Sequence, residues 1–225
     1  YKFKNYNKNE TQDLILAKTI QGFSTYLKKI KPDLVVVHGD RVEALAGAIS
    51  SSLNNILTLH IEGGELSGTI DEHLRHSISK LSHLHVVSNV QAKKRLIYKL
   101  GEKASNIFVC GSPDIDIMRK DNLPQISLVK KRYNISFSDY SILIFHPVTT
   151  EINKTGIFIK KLISGCIKSK KKFVIIYPNN DPGNLEILKF YKKKFLEKNF
   201  SKNFKLIKSM RFEYFLSLLK NSKIV

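Results

Sequence analysis

The sequence predicts an α/β chain built on two parallel sheets, and three observations predict it. Short apolar, partly β-branched runs alternate strictly with stretches whose apolar residues recur at helical spacing. The runs are hydrophobic throughout, the mark of strands in a parallel sheet covered on both faces. The rhythm lapses once, between Arg119 and Tyr140, and then resumes. We therefore expect a first domain over residues 1–118, a linker over 119–138 and a second domain over 139–225.

Residues 14–30 carry apolar positions at helical spacing and end before Pro32, which cannot continue a helix. The run 34–37 is a strand leaving through His38, Gly39 and Asp40, and the Ala- and Leu-rich stretch 41–53 is the next helix. A strand over 56–61 leads to Glu62, after which Gly63, Gly64 and Gly68 allow tight turning and close approach of a ligand. Thr69 with Glu72 three residues on is a capping-box pattern, and Ile70, Leu74, Ile78 and Leu81 repeat at helical spacing behind it. Asp71 then lies in the first turn. Arg75, four residues later, is placed to pair with Asp71 or to meet an anion at the helix N-terminus. A strand over 84–88, a helix over 91–100 ended by Gly101 and a strand over 107–110 leaving through Gly111, Ser112 and Pro113 complete the first domain.

The lapse holds one short helical candidate, 126–133. Beyond it come a strand over 142–145 leaving through His146 and Pro147, a helix over 157–169, and a strand over 173–177 leaving through Pro178, Asn179, Asn180 and Asp181. A helix over 185–198, a strand over 204–207, a helix over 212–219 and a strand starting at Lys223 finish the pattern. The chain opens on Tyr1 rather than Met and closes in an apolar run, so it reads as a piece of a longer protein.

The formal charge of +19, from 38 Lys plus Arg against 19 Asp plus Glu, can steer nucleic acid, acidic lipid or a phosphorylated substrate. Its placement decides. The lysine runs 170–172 and 192–194 fall at helix ends or on polar helix faces, and no aromatic-interleaved basic ribbon occurs. The excess reads as a solvated surface, and no nucleic-acid partner is expected. No segment approaches the roughly 20 apolar residues of a membrane span, so no membrane partner is expected and the protein is read as cytoplasmic. Cys110 and Cys166 are too few for a disulfide framework or a zinc knuckle and are read as packing residues.

Ligands of open parallel sheets bind beyond the carboxyl ends of the strands. Those ends supply Asp40 and Glu62, joined by Asp71 at a helix start, in the first domain, and His146 with an Asn/Asp turn in the second. Three crowded carboxylates should differ in pKa, with some pushed upward as a general acid at neutral pH requires. His38 and His60 read equally as buried core histidines or as catalytic groups. His73, His76, His83 and His85 offer no convergent face, so no metal centre is expected. No Ser or Cys occupies a nucleophile elbow.

Five runs carry a resemblance: HGDRVEALAGA at 38–48, HIEGGELSGTIDEHLRHSISKLSH at 60–83, GSPDID at 111–116, HPVTTE at 146–151 and PNNDPG at 178–183. Together they resemble the hydrolysing UDP-N-acetylglucosamine 2-epimerases, and the GGE and IDE spacing is the feature specific to that branch. The resemblance implies two Rossmann-like domains, GT-B-like, truncated at both ends. The glycine-rich first strand and loop would precede Tyr1, and the serine-rich diphosphate loop would follow Val225. It further implies catalytic roles for Asp40, Glu62, Asp71, Arg75 and His146, and substrate contacts from Asn179 and Asp181. UDP-N-acetylglucosamine or a related nucleotide sugar would be the substrate, no cofactor would be needed, and the protein would form a homo-oligomer. The implied reaction expels UDP from C1, removes the C2 proton to give a 2-acetamidoglucal, and adds water to leave N-acetylmannosamine. Two other readings stay open: an epimerase of the same branch acting on another nucleotide sugar, as on the route to legionaminic acid, and a GT-B glycosyltransferase, for which three acids would be surplus.

Overall fold

The computed structural model describes residues 10–119, 123–179, 181–197 and 199–224. The chain divides into two compact units, Tyr1–Asp116 and Ile117–Val225. Among the described residues, no helix is long and apolar enough to cross a membrane.

The first unit runs α1 (Gln12–Ile30), β1 (Leu34–His38), α2 (Val42–Leu53), β2 (Leu57–Ile61), α3 (Ile70–Lys80), β3 (Leu84–Val87), α4 (Val90–Leu100) and β4 (Ile107–Val109), with the short α5 (Pro113–Met118) after it. Local chemistry sets the boundaries. Lys31 takes a left-handed conformation to end α1 just before Pro32, and Gly101, at φ 71°, ends α4 with its N–H on the Ile97 carbonyl. Asn89 caps α4 by accepting the Ala92 N–H at 2.8 Å. The start of α3 departs from the expected capping box. The Thr69 side chain makes no cap bond, and Glu72 reaches further back, accepting the N–H groups of Ser67 and Gly68 at 2.8 Å each. The Gly68 turn, at φ 67°, brings those two donors within reach of Glu72.

The four strands are parallel in the order β1-β2-β3-β4, with Val36 beside Leu59 and Leu59 beside Leu84. One face is packed: Val35, Val37, Leu45, Ala48 and Ile78 form one core with Leu27, and Val87, Ala92, Leu96 and Ile107 form another. The opposite face, where a covering layer is also expected, is open among the described residues of this chain. Leu34, Val36, Leu57 and Phe108 stand there exposed, because β1 alternates between buried and exposed positions although every residue from Leu34 to Val37 is apolar. Cys110 departs likewise from a packing role, since it is exposed just past β4, whereas Cys166 is buried.

The second unit runs α6 (Ile126–Arg132), β5 (Ser141–Ile144), α7 (Thr155–Lys168), β6 (Phe173–Ile176), α8 (Asn184–Phe195), β7 (Phe204–Ile207) and α9 (Phe212–Lys220). Its parallel sheet, β5-β6-β7, is packed on both faces. Ile142, Val174, Ile207 and Leu218 form one core, and Ile159, Ile163, Ile175, Ile187 and Tyr191 form the other. The stretch expected to be a linker differs in its second half. Val129, Ile135 and Phe137 are buried in the first of these cores, together with Tyr140 just beyond the stretch, and the Tyr140 hydroxyl donates to the Leu218 carbonyl at 2.7 Å. Apolar residues too sparse for a periodic pattern were nonetheless enough to pack. At the chain end, the Lys223 N–H donates to Tyr140 and the Ile142 N–H to Ile224, a ladder alongside β5 where the last strand is expected. Val225 and Asn180 lie outside the described residues.

Candidate active site

Glu62 is the first residue beyond β2, and its backbone is left-handed at φ 65°, a conformation a non-glycine residue holds only when its surroundings enforce it. Three partners do so. Its N–H donates to the Val86 carbonyl at 2.8 Å. The Ser112 hydroxyl donates to Oε1 at 2.8 Å, and His38 Nε2–H donates to Oε2 at 2.9 Å. The carboxylate therefore gathers groups from the ends of β1 and β4 onto the end of β2. Burial raises its pKa, but the hydrogen bonds from Ser112 and His38 and the fields of His38 and Arg75 outweigh it, and the net shift is downward. Of the three carboxylates, some of which are expected to be raised, Glu62 is thus not one: it is held in the carboxylate form. His38 is correspondingly no core histidine, since its side chain is 55% exposed.

Asp40, at the end of β1, pairs with Arg75 of α3, whose side chain is nearly buried. The guanidinium also donates from Nη1 to the Glu65 carbonyl at 3.0 Å. This replaces the pairing with Asp71, one of the two roles expected of Arg75. A tertiary partner that shares Arg75 with the Glu65 carbonyl takes precedence over a neighbour one turn away. Asp71 remains in the first turn of α3, with the Thr69 hydroxyl 3.4 Å from Oδ2. Around these groups the glycines have distinct tasks. A Cβ on Gly63 would lie 2.7 Å from Ser79 Oγ and 2.9 Å from His60 Nδ1, so the loop can lie against those side chains only without one. The Gly64 carbonyl is held by the Arg95 guanidinium from α4.

His60 lies beneath this loop, fully buried in β2. Nε2–H donates to the Gly39 carbonyl at 2.9 Å, and Nδ1 accepts from the Ser79 hydroxyl at 2.9 Å. Of the two roles open to it, the structure gives it the core role. Burial lowers its pKa to about 4. The unfolded chain thus binds a proton that the folded one refuses between pH 6.5 and about 4. The resulting stabilisation, about 3 kcal/mol, is complete above pH 6.5 and is lost as the pH falls to about 4. Urea unfolding of the protein and of a His60→Gln variant at pH 7 and pH 4.5 should show the protein losing more stability than the variant; equal losses would contradict this assignment.

In the second unit, His146 follows β5, and its Nδ1 accepts the Asn179 N–H at 3.1 Å. That bond leaves the other ring nitrogen, Nε2–H, as the donor. The Asn179 side-chain amide donates to Asp181, and Asn184 Nδ2 donates to the Asn179 carbonyl at 2.9 Å. His146, Asn179 and Asp181 are therefore brought together at the carboxyl end of the second sheet, as Asp40, Glu62 and Arg75 are at the first. Sequence reasoning passed over Ser112 and Ser79. Ser112 had a signal, its place at a strand end, but Ser79 had only its spacing from Arg75 on α3. Among the described residues, no group of three or more His, Cys, Asp and Glu side chains gathers closely enough to hold a metal ion.

Comparison with known proteins places this geometry in context. The family profile described as UDP-N-acetylglucosamine 2-epimerase matches residues 2–225. A UDP-N-acetylglucosamine 2-epimerase of Neisseria meningitidis serogroup B is 44% identical over the whole chain, which spans 58% of that protein's length. A UDP-N,N'-diacetylbacillosamine 2-epimerase (hydrolyzing) of Legionella pneumophila is 36% identical over 75% of the chain and 45% of its own length. The crystal structure of a UDP-GlcNAc 2-epimerase from Methanocaldococcus jannaschii in complex with UDP-GlcNAc and UDP aligns with 96% of the chain and 60% of its own, at TM-score 0.72 and 24% identity. The chain thus shares the fold class of that structure, two successive Rossmann-like α/β units, and spans about half the length of the curated relatives it matches.

Proposed function

Because the chain belongs to the UDP-N-acetylglucosamine 2-epimerase family, we propose that the complete protein is a hydrolysing epimerase that converts UDP-N-acetylglucosamine to UDP and N-acetylmannosamine. The observation that carries the reading is Glu62, a carboxylate fixed at a strand end by Ser112 and His38 with the Asp40–Arg75 pair nearby. The C2 proton of the sugar has no adjacent carbonyl and is not acidic until positive charge develops at C1. Departure of UDP therefore leads or accompanies deprotonation. In this reading Glu62 accepts the C2 proton, and Asp40 or Asp71 serves the opposite transfer when water adds at C1 and C2 of the glucal. Arg75 stabilises the departing diphosphate. Asn179 and Asp181 meet the nucleotide.

The reaction has an isotopic signature. The original C2 hydrogen must leave and solvent must supply its replacement. The complete protein, run in deuterium oxide, should release N-acetylmannosamine carrying deuterium at C2 together with UDP, read by NMR and mass spectrometry. Product that keeps its original hydrogen at C2 would overturn the elimination route, and epimerised UDP-sugar without UDP release would overturn the hydrolysing one.

One observation favours a second substrate. The Legionella relative is named for UDP-N,N'-diacetylbacillosamine, and a Campylobacter jejuni relative, 34% identical over 92% of the chain, is a GDP/UDP-N,N'-diacetylbacillosamine 2-epimerase (hydrolyzing). A panel of nucleotide sugars differing at C4, C6 and the base, scored by nucleoside diphosphate release, separates the two readings.

A further inference from the structure

We infer that His60 is a positioning residue that fastens the loop carrying Asp40 to the helix carrying Arg75, an inference that rests on the role proposed for those two residues. The imidazole cannot reach a substrate. It is wholly buried, and both ring nitrogens are engaged by the protein. Its two partners, however, belong to the two elements that meet in the ion pair. Gly39, whose carbonyl accepts from Nε2, immediately precedes Asp40. Ser79, whose hydroxyl meets Nδ1, lies one turn beyond Arg75 on α3.

The same ring therefore bridges both sides of the Asp40–Arg75 contact from below. The Gly39 N–H donates to the Ile61 carbonyl at 3.0 Å, which ties the loop to β2 on its backbone side. The His60 bond holds the other side of the same residue. Gly39 is left-handed at φ 76°, so without the carbonyl bond the loop would lose one of the contacts that hold that turn. Gly63 completes the arrangement, because any side chain there would push Ser79 and His60 apart. A displacement of about 1 Å in either partner is enough to cost on the order of 100-fold in rate where a reaction depends on alignment.

The two nitrogens can be tested separately. Glutamine at position 60 places an amide where Nε2 lies and can keep the bond to Gly39; asparagine places it where Nδ1 lies and can keep only Ser79. In the complete protein, His60→Asn should lower kcat about 100-fold with KM nearly unchanged, whereas His60→Gln should stay within about tenfold of the unsubstituted protein. Ser79→Ala, which removes one hydroxyl and leaves the ring in place, should lower kcat about tenfold. NMR of the Arg75 guanidinium protons in the same proteins supplies a readout that needs no turnover. Those protons should exchange slowly in the unsubstituted and glutamine proteins and rapidly in the asparagine protein. An unsubstituted protein that releases no nucleotide would overturn the proposed function but leave this NMR comparison decisive. Unchanged Arg75 exchange in His60→Asn, or equal loss of kcat in both variants, would overturn the positioning role.

Discussion

Replacing Glu62 with glutamine in the complete protein should lower turnover by about 100-fold or more while leaving the fold intact. The substitution keeps the shape and one acceptor oxygen. The amide that replaces the other oxygen can still face Ser112, whose hydroxyl accepts as readily as it donates. What disappears is the carboxylate, the group that can take up a proton at all, which its partners keep ionised in the resting protein. The loss should fall on kcat, because a proton transfer is made in the transition state and not in the bound substrate. Steady-state kinetics with UDP-N-acetylglucosamine, alongside thermal unfolding to verify the fold, measures it. A near-normal kcat would remove Glu62 from the chemistry.

The largest effect on stability is expected at Gly64. Alanine there meets two obstacles: the backbone is left-handed at φ 78°, and the added Cβ would lie 2.6 Å from the Ala92 carbonyl oxygen, a backbone atom that cannot rotate away. Left-handed strain and overpacking together should destabilise the protein by about 3 kcal/mol or more. Gly68 provides the comparison, with a similar φ of 67° but nothing within 4 Å of the added carbon. Gly68→Ala should therefore cost only the conformational part, about 1 kcal/mol. Urea unfolding of both variants measures the difference, and equal losses would show that the contact with α4 does not matter.

The contrast between these glycines shows where the sequence was legible and where it was not. Strand ends were readable because apolar runs stop at polar or glycine residues, and this alone placed Asp40, Glu62, His146 and Asn179 at the carboxyl edges of their sheets. Partners were not readable. For Arg75 only Asp71 or an anion at the helix start could be read as a partner, because spacing on one helix is visible in a sequence, whereas its bond to Asp40, 35 residues away, exists only once β1 and α3 are folded together. Ser112 and Glu62 are 50 residues apart and meet only because the strands take the order β1-β2-β3-β4. Nor could a run such as Leu34 to Val37 show which of its residues are buried in this chain. His60 was ambiguous for a related reason: its two bonds depend on Gly39 and Ser79, one before it and one after, and neither spacing is a recognisable pattern.

The exposed row of Leu34, Val36, Leu57 and Phe108 should make solutions of the 225-residue chain sensitive to salt. Two forces oppose each other between copies. The formal charge of +19 repels them, and at low ionic strength that repulsion reaches about 30 Å from the surface. Added salt shortens the reach to about 8 Å near physiological strength, so apolar faces can meet before charge turns them aside. Sulfate adds a second push, since it is excluded from protein surfaces and strengthens apolar association. The 225-residue chain should therefore stay dispersed in dilute buffer and precipitate early in an ammonium sulfate series, at concentrations where its high charge alone would predict solubility.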